Sequence, residues 1–115
     1  MKTKLFTSIS ILALLSAFSF AGETVKEAEF KVFGNCNQCK TRIEKSMKIS
    51  EVKKAKWDSK SKMLKVAYLS EKISLDSLEQ RVASVGHDTE KFKAADSVYA
   101  ELPGCCLYRS GENKH

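Results

Sequence analysis

A chain of 115 residues, 43% hydrophobic and 30% charged, has room for one small domain with a modest core. No internal repeat, linker or low-complexity block divides it. The net charge of +6 is mild and the lysines are scattered, so nucleic acid is a poor explanation for the basic balance.

The first residues read as a targeting segment. Met1 to Lys4 is a short basic start, and Leu5 to Phe20 is an apolar run. Ser19-Phe20-Ala21 then puts small residues at the two positions a signal peptidase reads. This predicts a signal peptide over 1–21, cut after Ala21, and a periplasmic or secreted product. A retained membrane anchor fits less well, because the run is short for a spanning helix and no basic stop-transfer flank follows it. No cysteine stands near the cut, which argues against a lipid anchor, so no membrane association is expected after cleavage. Export would leave all four cysteines where disulfides can form.

From Gly22 to Phe33, Ala28, Phe30 and Val32 alternate with Glu29 and Lys31, which predicts a strand with one buried face. Gly34 relieves the backbone at a turn, and Cys36-Asn37-Gln38-Cys39 follows. From Lys40 to Lys48 the apolar residues Ile43 and Met47 keep helical spacing, with Cys39 on the same face in the first turn. Val52 to Asp58, the polar turn Asp58 to Lys62, and Leu64 to Tyr68 read as a β-hairpin. Ser74 is a plausible N-cap for a second helix with the stripe Leu75, Leu78, Val82 and Val85, ended by Gly86. Thr89 to Lys93 is read as a fourth short strand. A tail over 94–115 follows, with one short helix between Ala94 and Leu102 and then adjacent Cys105-Cys106. The order β-α-β-β-α-β predicts an α+β, ferredoxin-like fold, a four-stranded antiparallel sheet with two helices on one face, plus the C-terminal extension.

Two thiols three positions apart at a strand-to-helix join suit soft-metal chemistry. A following helix N-terminus stabilises thiolate over thiol, and thiolates select Cu(I), Zn(II) and similar ions. Alone, the spacing is equally that of a redox dithiol or a structural disulfide.

With its fold order, the chain resembles the heavy-metal-associated domain family, which includes small copper chaperones, the metal-binding domains of P-type ATPases and periplasmic mercury-binding proteins. The resemblance rests on Phe30, Val32, Gly34, Cys36, Cys39, Ile43 and Met47, then Val66 and Gly86-His87, and spans about residues 28–93 of a domain placed at 22–93. Asn35 stands where the family has Met, a residue that supports the metal loop from below. The tail with Cys105 and Cys106 lies outside the family pattern.

The resemblance implies that Cys36 and Cys39 are the primary metal ligands. His87 is read either as an exposed loop histidine or, at the same end of the domain as the Cys loop, as a third ligand or a hydrogen-bond partner of a thiolate. Lys40 and Arg42 would offset thiolate charge or simply face solvent; His115 is terminal. Cys105 and Cys106 have several open roles: further metal ligands, a vicinal disulfide, or partners of Cys36 or Cys39. A fourth strand would start the tail at the far end of the domain, so a return to the Cys loop would mean climbing roughly 20 Å. On the way, Tyr99 and Leu102 could cover the sheet face left open by the helices. The hairpin lysines 53, 54, 56, 60, 62 and 65 form a solvated face or dock an acidic partner.

The expected function is an exported soft-metal-binding protein, taking Cu(I) first and Hg(II), Zn(II) or Cd(II) behind it, that carries or sequesters the ion. Its expected partner is a metal-transporting ATPase or another metal carrier. It is read as a monomer, with a metal-bridged dimer as the variant. No general base, nucleophile pair or phosphate loop suggests catalysis. Two other readings stay open: a periplasmic thiol–disulfide oxidoreductase using Cys36 and Cys39, and a disulfide-stabilised interaction module.

Overall fold

The computed structural model describes residues 24–110. The predicted signal segment, the first two residues of the predicted first strand, and His115 lie outside the described residues. The elements in order are β1 (Val25–Lys31), α1 (Asn37–Ser46), β2 (Val52–Trp57), β3 (Met63–Leu69), α2 (Leu75–Ser84) and the short α3 (Asp96–Tyr99). Two 3-10 turns, Gly104–Cys106 and Tyr108–Ser110, complete the tail.

The sheet is antiparallel in the order β1-β3-β2. Its register follows the alternation: Phe30 and Trp57 both lie opposite Leu64, and Ala28 and Ala55 both lie opposite Val66. These inward residues meet Ile43 and Met47 of α1 and Leu78 and Val82 of α2 in one buried cluster. On the other face, Glu29, Lys65 and Lys56 stand side by side across the strands, a charged row that suits a solvated surface. Among the described residues no helix is long and apolar enough to cross a membrane.

Local chemistry sets the element ends. Ser74 accepts a hydrogen bond from the Ser77 amide at 3.1 Å and caps α2 as expected. Beyond α2, Gly86 takes a φ of 110°, the left-handed conformation glycine adopts without a Cβ penalty. At the C-terminus of α1, the Arg81 Nε donates to the Ser46 carbonyl at 2.8 Å, placing a cation on the negative end of the helix.

The expected fourth strand does not form; the described sheet has three strands. Thr89 makes one bridge to Val32 and the chain then turns away. The Thr89 hydroxyl accepts from the amides of Lys91 and Phe92, at 3.2 and 2.9 Å, and the Thr89 amide donates to the Phe92 carbonyl. These local bonds satisfy the backbone groups a ladder would have used. The tail therefore never travels to the far end of the domain. Nor do Tyr99 and Leu102 cover the open sheet face: Leu102 packs on Gly86, and Tyr99 stacks edge-on against Tyr108 at 5.0 Å.

Candidate metal centre

Cys36 is the N-cap of α1 and Cys39 lies in its first turn. Both sulfurs therefore sit where free amides and the helix dipole favour negative charge. The Asn35 amide donates to the Cys39 sulfur at 3.3 Å. Cys39 is fully buried, in line with Ile43 on the inner face of the helix.

Beneath the loop lies Trp57. Its Nε1 donates to the Val32 carbonyl at 3.0 Å, and its ring would stand 3.2 Å from a Cβ on Gly34. The same Cβ would stand 3.0 Å from that of Cys39, so the loop needs glycine here for close approach rather than for an unusual φ. Trp57 thus supplies the floor of the loop. Asn35 turns upward instead, its Nδ2 donating to the Cys105 carbonyl at 3.3 Å.

The tail returns to this loop and is clamped to the stretch that follows α2. Arg109 donates in a fork to Asp88, from Nε at 3.1 Å and NH2 at 2.8 Å, and also reaches Asp96 at 3.0 Å and the Ala94 carbonyl at 2.7 Å. Its guanidinium lies 4.3 Å from the centre of the Tyr99 ring. Tyr108 donates its hydroxyl to the Gly86 carbonyl at 2.7 Å and accepts the Asp88 amide at 2.8 Å. Burial pushes that hydroxyl's pKa up, so it remains a neutral donor. Burial works to raise the Asp88 carboxyl, but the Arg109 fork and the Ala94 amide prevail and hold it below its ordinary range.

Four sulfurs meet as a result. Cys36 and Cys105 are bridged as a disulfide with Cα atoms 6.4 Å apart, and Cys39 and Cys106 are buried free thiols. The Cys36 sulfur lies 3.7 Å from that of Cys39 and 3.5 Å from that of Cys106, and Cys105 and Cys106 are 3.9 Å apart. The sulfurs of Cys36, Cys39 and Cys106 all lie within 4.8 Å of one another. Arg42 donates to the Cys106 sulfur at 3.4 Å. Burial and the neighbouring Cys39 push the Cys106 thiol up to about 11 despite Arg42, so without a metal it keeps its proton at neutral pH. Once the bridge is reduced, the donor set is four soft thiols in contact, which suits a soft cation.

His87 is neither exposed nor gathered with the sulfurs. It is fully buried, its Nδ1 lies 2.8 Å from the Phe33 carbonyl, and its ring stacks on Tyr108 at 5.6 Å. It joins the end of α2 to the residue before Gly34. Lys40 is also drawn elsewhere: its Nζ pairs with Glu44 and donates to the Trp57 carbonyl at 3.1 Å. The sequence reading missed the roles of Trp57, Asp88, Tyr108 and Arg109. Only the placement of Tyr108-Arg109 directly after Cys105-Cys106-Leu107 hinted at an anchor.

No family model and no curated protein matches the chain. Solved structures do. The CopZ metallochaperone is 21% identical, with 56% of this chain and 98% of that one covered at a TM-score of 0.53. Oxidized MerP from Ralstonia metallidurans is 20% identical, covering 58% and 96% at 0.55. The N-terminal domain of a potential copper-translocating P-type ATPase from Bacillus subtilis, in its Cu(I)-loaded state, is 29% identical, covering 65% and 96% at 0.54.

Proposed function

We propose that this chain, whose fold is that of heavy-metal-associated domains, is an exported protein that binds a soft metal ion through cysteine thiolates and carries or sequesters it. The observation that carries the reading is the sulfur group at the N-terminus of α1, with Cys36, Cys39 and Cys106 within 4.8 Å of one another. Such a group binds thiophilic ions far better than hard ones. Cu(I) is the first candidate cargo, supported by the similar Bacillus subtilis domain whose name specifies a copper-translocating ATPase in its Cu(I)-loaded state; Hg(II), Zn(II) and Cd(II) stand behind it. A metal-transporting ATPase or another metal carrier is the corresponding partner. Export is supported by the leader-like pattern of residues 1–21 and agrees with the Cys36–Cys105 bridge, which belongs to an oxidising compartment. The bridged form lacks the Cys36 thiolate, so loading requires reduction first.

A Cys36–Cys39 redox couple is the less favoured reading, because the bridge joins Cys36 to Cys105 and leaves Cys39 buried. The test is a competition titration of the reduced protein with a chromophoric Cu(I) chelator. The Cys36→Ser/Cys39→Ser protein should lose high-affinity binding while its far-ultraviolet circular dichroism stays that of the parent. Undiminished affinity in that folded variant would refute the reading.

A further inference from the structure

We propose that the tail is part of the metal site: after reduction of the Cys36–Cys105 bridge, Cys105 and Cys106 join Cys36 and Cys39 around one soft divalent ion, closing the site on a cargo that is retained rather than passed on. The inference rests on the soft-metal reading above and adds to it the ligand number and the fate of the ion.

Geometry is the first argument. A tetrahedral ion with metal–sulfur bonds of about 2.3 Å holds its sulfurs about 3.8 Å apart, whereas a linear two-thiolate ion holds them about 4.6 Å apart. The separations are 3.7 Å for Cys36–Cys39, 3.5 Å for Cys36–Cys106 and 3.9 Å for Cys105–Cys106. All three match the tetrahedral edge. Sulfurs in plain contact sit almost as close, so the discriminating quantity is the number of sulfurs around a bound ion.

The second argument is the effort spent on placing the tail. The Tyr108 and Arg109 clamp lies two to four residues beyond the paired cysteines, and Asn35 of the metal loop binds the Cys105 carbonyl. The first two contacts anchor the tail to the stretch after α2, and the third ties Cys105 directly to the metal loop.

The third argument is charge. A divalent ion with four thiolates carries a net charge of −2. The Arg42 guanidinium on Cys106, the Asn35 amide on Cys39 and the N-terminus of α1 are aimed at that charge. Four thiolates would fill a tetrahedral shell, leaving no coordination position open for a partner's ligand to enter.

The chemistry balances simply. A phosphine takes up the bridge's oxidising equivalents: its phosphorus gains oxygen from water, the sulfur–sulfur bond breaks, and two thiols form. The divalent ion then displaces four thiol protons as four metal–sulfur bonds form.

Cadmium is the probe, because its sulfur charge-transfer absorption grows with each thiolate bound. X-ray absorption on the phosphine-reduced, Cd(II)-loaded parent should count four sulfurs. The Cys105→Ser/Cys106→Ser protein should still bind Cd(II), with about half the charge-transfer intensity. It should release the ion to a small chelator about tenfold faster or more. A count of two sulfurs in the parent overturns the inference, with no variant needed, and leaves the soft-metal reading standing. So do unchanged intensity and release rate in the variant. A reduced parent that retains no Cd(II) also overturns the inference, while the soft-metal reading stands or falls on its Cu(I) titration.

Discussion

The Nδ1 of His87 carries the proton that the Phe33 carbonyl accepts, so Nε2 is left as a buried lone pair; it has no hydrogen-bond partner in the structure. Burial depresses the pKa to about 4, the Phe33 carbonyl opposing and the Arg42 charge adding to the shift. The consequence for stability has a definite sign. Above pH 6.5 neither the folded nor the unfolded ring is protonated, and the contribution is complete. As pH falls from 6.5 to 4 the unfolded chain takes up a proton that the fold refuses. Stability should therefore drop through that window, by about 3 kcal/mol in all, and level off below it. Asp88, whose pKa is lowered, adds its own loss only as pH falls below its ordinary 3.8. Urea unfolding of the oxidised protein at several pH values measures this. In His87→Gln the slope between pH 6.5 and 4.5 should vanish; a slope equal to the parent's would assign it to another group.

At the scale of elements, the tail depends on one side chain more than any other. Arg109 and Asp88 are largely buried, with side chains 22% and 10% exposed, so their fork is not a screened surface pair. In the reduced protein, Arg109→Ala should cost about 2–3 kcal/mol and strip hydrogen-exchange protection from residues 94–110, leaving α1 and the sheet protected. Arg109→Lys should fall between, because a point charge cannot reproduce the fork. Protection of the tail unchanged in Arg109→Ala would show that packing alone holds it. What could be read beforehand divides along the same line. The first three strands and two long helices are local patterns: Phe30, Leu64 and Val66 alternate, Ile43 and Met47 keep helical spacing, and Ser74 and Gly86 mark the ends of α2. The fourth strand was misread because Thr89 turns its hydroxyl on its own backbone, a competition that apolar alternation does not reveal. The clamp joins Arg109 to Asp88 across twenty-one positions, and no periodicity connects such residues. His87 was placed at the correct end of the domain, yet its burial depends on Tyr108 arriving from the tail.

For the molecule as a whole, the fold and the sulfur cluster combine into one account. A small sheet-and-helix domain holds two cysteines at a helix N-terminus, and its extension brings two more against them. In the bridged form Cys36 and Cys105 offer no thiolate, and reduction frees both. Native mass spectrometry of the protein, oxidised and reduced, against Cu(I), Zn(II), Hg(II) and Cd(II) tests the central claim most directly. The account predicts a retained soft ion in the reduced form, with the mass of the displaced thiol protons lost, and none in the bridged form. A reduced, folded protein that retains none of the four ions would contradict it.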